Sequence, residues 1–376
     1  GPSKAVLRQG GFTPFVVKVL NDSTVARPLR LASPQAGAVF SGFSLGTLKR
    51  QAQTELKTNE NVKGDTGRFL SVEMFGKPPM APNLSGLEVE YAIALIYSNE
   101  AGKREATLQF DVGAGTQDLG FRGEVPVLFN VLPARAVKLN VRDHDGLPTT
   151  ARLEFRDATG RVYPPQAKRL APDFFFQPHI YRAHGQLVSL PSGKYTMESS
   201  RGPEYRVHTR EVTVSAKGAT EIKVRLERWV DPLQFGFYCG DHHIHGAGCS
   251  HYQSPTLGVT PADMFQQVKG EGLNVGCVLT WGPCFDFQRN YFSPGADDVS
   301  EPLTVLKYDL EISGFGSAAL GHVCLLNLKN QTYPNSNGTK TEGWPSWTVP
   351  VLRWCKEQGG LAGYPHSALH VNPAST

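Results

Sequence analysis

Asp241-His242-His243-Ile244-His245-Gly246-Ala247-Gly248-Cys249-Ser250-His251 places four of the chain's eleven histidines beside an aspartate. On an extended strand, side chains at i and i+2 project to one face roughly 6–7 Å apart, so His243 and His245 can address a single ion. Packing several imidazoles together is unfavourable unless a charge or ion organises them. His322, His366 and His370 follow downstream, while the first 238 residues hold only His144, His179, His184 and His208. The stretch therefore predicts a metal-binding strand.

The sequence around it has an α/β pattern. Thr260-Pro261, followed by Ala-Asp-Met-Phe-Gln-Gln-Val-Lys269, supplies an N-cap, a proline at the first helical position and an acid in the first turn. Leu273–Trp281 reads as a buried strand. Thr348–Gln358 reads as a helix that stops at Gly359-Gly360 and leads into a strand at Leu361–His366. Strand–helix–strand repetition implies a parallel sheet with its chemistry at strand C-termini.

Upstream of the connector Arg228–Gln234 the chain reads as β-structure. Phe15–Leu20, Leu87–Tyr97, Thr107–Val112 and Val125–Val131 are strand candidates, and the first domain closes near Leu132-Pro133. Val137–Arg142 and Ala151–Arg156 alternate cleanly in a second unit, and Thr220–Glu227 turns Ile222, Val224 and Leu226 to one face. The predicted domains are 4–133, 136–228 and 236–376, with Gly1-Pro2-Ser3 read as a protease-cleavage scar.

The chain has 376 residues and a net charge of +4, without a basic run interleaved with aromatics, so nucleic-acid binding is not expected. No apolar run approaches the ~20 residues needed to span a bilayer. All six cysteines fall after residue 238 and none form a CxxC pair, which reads against a disulfide framework. Cys277 and Cys324 are expected as buried small hydrophobes. A periplasmic or secreted location is favoured over a cytoplasmic one.

Two resemblances extend this reading. Leu190-Pro-Ser-Gly-Lys-Tyr195 resembles the signature of transthyretin-like, carboxypeptidase-regulatory-like sandwich modules. Gly240-Asp241-His242-His243-Ile244-His245 resembles the first motif of the PHP (polymerase and histidinol phosphatase) metallohydrolase superfamily, in its carbaryl-hydrolase-like branch. Glu311 in Tyr308–Gly314 fits that superfamily's metal-bridging glutamate. His322 follows glycine as in its Gly-His motif, and His366 closes a Gly-Gly-x5-His pattern.

The resemblance implies two N-terminal all-β sandwich domains followed by an α/β PHP-like, partial TIM-like barrel that binds metal. Its ligands would be His243, His245, His251, Glu311, His322 and His366, holding one to three divalent ions (Zn, Mn or Fe). Asp241, Glu311 and His366 would act in catalysis. The implied activity is metal-dependent hydrolysis of a small-molecule ester, phosphoester or carbamate/carboxyl ester. The alternative is a catalytically degenerate protein that keeps a structural metal and acts in binding or as a scaffold.

Two departures qualify the pattern. Thr280-Trp281-Gly282 stands where the superfamily has Thr-Asp-His, leaving His251 or Asp286 to substitute. Residues 236–376 are also too few to close a barrel at ~30 residues per βα unit. A further C-terminal segment or a second chain is therefore expected to complete it.

Overall fold

The computed structural model describes residues 1–20, 26–40, 69–76, 83–98, 100–111, 122–165, 172–174, 177–246, 259–281, 285–313, 322–339 and 342–365. Alternating apolar residues build two β-units in the first 228 residues. In the first, β1 (Ser3–Arg8), β4 (Arg30–Ala32), β9 (Gly102–Asp111) and β10 (Arg122–Leu132) form a sheet in the order β1-β10-β9-β4. It faces a second sheet of β2 (Thr13–Leu20), β5 (Ala36–Phe40), β6 (Leu70–Met74) and β8 (Val89–Tyr97), ordered β2-β8-β6-β5. β3 (Ala26–Pro28) pairs with β7 (Asn83–Ser85) beside them. Leu7, Leu31, Val72, Ile96, Phe129 and Val131 fill the space between the sheets.

The second unit sets β11 (Ala134–Arg142), β15 (Leu187–Pro191) and β18 (Thr220–Arg225) against a second sheet. That sheet contains β12 (Thr150–Asp157), β13 (Val162–Tyr163), β14 (Ile180–Ala183), β16 (Gly193–Ser200) and β17 (His208–Val214). Val137, Leu139 and Val141 of β11 meet Leu153, Phe155, Tyr195 and Met197 in one core. Tyr195 within the Pro-Ser-Gly-Lys-Tyr stretch is fully buried and donates its hydroxyl to the Pro191 carbonyl at 2.6 Å.

The histidine-rich stretch lies in a five-stranded sheet. β19 (Gly240–His245), β20 (Val275–Thr280) and β21 (Val305–Ser313) run parallel. β22 (His322–Leu326) is antiparallel to β21, and β23 (Leu361–Gly363) is antiparallel to β22. Helix α1 (Pro261–Gly270) joins β19 to β20. It begins with a complete capping box in which Thr260 and Asp263 bond each other's backbone N–H. Helix α2 (Thr348–Glu357) precedes β23.

Both helices cover one face of this sheet. Met264 and Val268 of α1 pack with Val278, Leu306 and Tyr308, while Val351 and Cys355 of α2 pack with Leu310, Ile312, Val323 and Leu325. Side-chain alternation along β21 sends Lys307, Asp309 and Glu311 to the other face.

This architecture corrects the expected α/β PHP-like, partial TIM-like barrel. The described residues form a mostly β protein, with 23 strands, two α-helices of ten residues and a four-residue one at Phe285–Gln288, and the third unit is an open, mixed sheet. The physical reason lies in the connection after β21. Residues 314–321 are too few for the crossover a parallel neighbour needs, whereas an antiparallel return requires only a short link. The expected PHP-domain architecture is corrected with it, and no hydrolase class is carried over from that barrel.

The second β-unit and α1 meet closely. Gln266 donates to the Tyr181 carbonyl at 2.6 Å, and Arg201 Nε donates to the Lys269 carbonyl at 3.0 Å. A Cβ placed on Gly270 would stand 2.2 Å from Cδ1 of Tyr181. That ring is buried, and its hydroxyl is engaged by Glu271 and His179. Gly270→Ala is accordingly expected to destabilise the protein by about 1–3 kcal/mol through overpacking, despite the better helix propensity of alanine. A lowered urea midpoint with unchanged slope would agree, while a neutral or stabilising effect would contradict the packing.

Candidate metal centre

Three elements bring four side chains to one end of the third sheet. β19 contributes His243 and His245 from alternate positions, β21 contributes Glu311, and β22 starts with His322. The antiparallel return accounts for the last placement, because His322 lies in register with Ser313, two residues beyond Glu311. The β19–β20 register shifts between Asp241 and Ile244, a β-bulge that re-aims the histidines.

The donor atoms converge. His243 Nε2 lies 2.9 Å from Glu311 Oε2 and 3.0 Å from His245 Nε2, and His245 Nε2 lies 3.2 Å from the same carboxylate oxygen. Metal–ligand bonds of about 2.0–2.2 Å place neighbouring donors roughly 3–3.5 Å apart. The observed separations suit a shared divalent cation. His322 Nδ1 approaches the opposite oxygen, Oε1, at 2.8 Å. Glu311 thus presents one oxygen to the paired histidines and the other to His322.

Burial sharpens the case. The Glu311 side chain is only 5% exposed, whereas those of His245 and His322 are 43% and 44% exposed. Burial alone would raise the Glu311 pKa, but the hydrogen bond and charge of His243, with His322 and His245, hold it below the ordinary 4.5. The carboxylate therefore stays ionised where it meets the imidazoles.

The other expected residues are placed as follows. Asp241 Oδ1 accepts the backbone N–H of His243 at 2.9 Å, so it braces the strand and does not orient an imidazole. The His242 ring is 6.3 Å from that of His243 and outside the three-donor group. His251 and His366 lie outside the described residues. So do His370 and Cys249, while of Asp286 only the backbone is described. Cys277 and Cys324 are buried, and burial pushes their thiols up to about 11 and 12. They pack with Leu279.

A cavity of about 330 Å³ adjoins His243 and His245 at the edge strand β19. Its far wall comes from the second β-unit through Phe174, Gln177 and Tyr181, and its floor from α1 and Glu271. Sequence reasoning missed these wall residues. Phe174, Tyr181 and Glu271 belong to no motif, and His179 beside Tyr181 reads as a structural histidine.

No family model matches the chain, and no curated protein matches it. Among solved structures it is similar to the Bacillus anthracis TIE protein, with 10% identity over 60% of this chain and 39% of that one, at a TM-score of 0.18. The chain thus spans about two fifths of that protein's length. It is also similar to the major pilin SpaD from Corynebacterium diphtheriae, with 11% identity over 59% of this chain and 58% of that one, at a TM-score of 0.19. These scores carry no argument about fold or function. No described helix is long and apolar enough to cross a membrane.

The lowered Glu311 pKa fixes the sign of a pH effect in chelator-treated protein. Its stabilising contribution is present above the ordinary value of 4.5 and is lost as the pH falls through the lower folded-state value. The acid limb of a stability–pH curve should therefore be shallower in Glu311→Gln than in wild type below pH 4.5. Identical limbs would show that the histidines do not hold the carboxylate ionised.

Proposed function

We propose that this chain binds a divalent metal ion through His243, His245 and Glu311, with His322 on the second carboxylate oxygen, and uses it to hydrolyse an ester-type bond in a small molecule. The carrying observation is the convergence of two imidazole nitrogens and one buried carboxylate oxygen within 3.2 Å of one another. This reading rests on side-chain chemistry and not on a fold class.

The donor set fits zinc, manganese or iron. Imidazole and carboxylate are borderline-to-hard ligands, and the buried thiols stay protonated outside the group. A divalent ion held there would supply Lewis acidity, lowering the pKa of a bound water from about 15.7 toward 7.

The chain's own residues supply the rest. Glu311 would offset one of the cation's two charges, and its second oxygen fixes His322. His322 is accessible enough to pass protons to solvent, and its position at the start of β22 holds it beside the site. Asp241 accepts the His243 backbone N–H and so braces the strand that carries both imidazoles. The adjoining cavity gives a small organic substrate room next to the donors. The scaffold reading finds less support, because the His245 side chain is 43% exposed and a structural site is usually closed.

Elemental analysis of purified protein should find at least one equivalent of zinc, manganese or iron, removed in a His243→Ala, His245→Ala double variant. Adding the metal at about 100 times its Kd should stabilise wild type by about 2.7 kcal/mol and leave the double variant unchanged. Loaded wild type should cleave an ester panel that the double variant does not. Equal metal content in both proteins would overturn the assignment, and bound metal with no turnover would favour a structural role.

A further inference from the structure

The cavity beside β19 has a distinctive chemical lining. Two carboxylates face it, Asp241 from β19 and Glu271 from the residue that caps α1. Two aromatic rings, Phe174 and Tyr181, come from the second β-unit, and the Met264 thioether comes from α1. No lysine or arginine lines it among the described residues. Arg201, which abuts the same helix end, is already paired with Asp143 and the Lys269 carbonyl. Lys269 is held by Glu301, with Nζ 2.7 Å from Oε2.

The geometry points to a binding site for an organic cation carrying an aromatic or compact apolar body, the charged group lying toward Glu271 and the body toward the Phe174 and Tyr181 side of the cavity. Three features act in the same direction. The cavity adjoins the C-terminal end of α1, where the helix dipole is negative. Glu271 is held in place by the Tyr181 hydroxyl, which His179 Nε2 contacts in turn at 3.1 Å. Aromatic faces attract ammonium groups, while carboxylates disfavour an anion in the same space.

A divalent ion on Glu311 would leave one net positive charge at the metal centre, and Asp241 with Glu271 outnumber it. The site therefore selects against phosphomonoesters and carboxylates, and in favour of a substrate with an amine or ammonium group. As a substrate preference this rests on the proposed metal centre. The pocket itself does not, since neither Glu271 nor the aromatic wall belongs to the metal group.

Calorimetric titration of the full chain with benzylammonium, benzyl alcohol and benzoate separates charge from shape. Benzylammonium is expected to bind about tenfold tighter than benzyl alcohol, with benzoate weakest. Glu271→Gln keeps an oxygen to accept from Tyr181 and should reduce benzylammonium to the affinity of benzyl alcohol, leaving the alcohol unchanged. In wild type, benzylammonium should also shift the Met264 methyl resonance, a readout that needs no variant. The preference should persist in chelator-treated wild type, so failure of the metal assignment leaves it standing. Equal affinities for the three probes, tightest binding of benzoate, or an unchanged preference in Glu271→Gln would overturn the proposal.

Discussion

A carboxylate buried at the end of a central strand sets the terms for the third sheet. Glu311 sits with its side chain 5% exposed, in register with Cys324 and on the sheet face away from both helices. An isolated ionised carboxylate there would carry a large desolvation cost. Imidazoles approach both of its oxygens, two at Oε2 and one at Oε1. The bulge in β19, the parallel pairing through β21 and the short antiparallel return to β22 all serve to bring those rings to it. A cation at the shared oxygen would complete the balance of charge.

The same sheet illustrates a division of labour between its faces. Apolar residues at alternate positions of β21 seat the two helices, and the intervening positions carry polar groups. Asp309, fully buried, accepts the backbone N–H groups of Asn327 and Leu328 and meets Lys307 at 3.3 Å. That pair is structural, whereas Glu311, two residues further along, meets three imidazoles. α1 in turn links this sheet to the second β-unit through Tyr181, Gln266 and Arg201. A β-unit that would otherwise be a spacer thereby contributes a wall to the cavity next to the histidines.

Much of the local structure was legible in the residues. The alternation at Val137–Arg142 appears as a strand whose Val137, Leu139 and Val141 are fully buried. Thr260 caps α1 and Pro261 opens it, as expected, and the first-turn acid Asp263 completes a capping box. His243 and His245 share a face with the distant Glu311, as period-two spacing on a strand allows. The global arrangement was less legible. Apolar strand–helix–strand runs look alike whether the sheet continues in parallel or turns back, and the deciding quantity was the length of one connection, residues 314–321. The cavity wall was invisible for a related reason. Tyr181 and Glu271 are 90 positions apart and meet only through docking of α1 on the second β-unit.

X-ray absorption at the metal edge of the protein loaded with one equivalent of zinc tests the central claim most directly. The account predicts a first shell of nitrogen and oxygen at about 2.0–2.1 Å, with outer-shell scattering from two or three imidazoles and none from sulfur. In the His243→Ala, His245→Ala variant the imidazole signal should fall by at least two rings. A sulfur-containing shell, or an imidazole signal unchanged by loss of both histidines, would contradict the account and place the metal elsewhere.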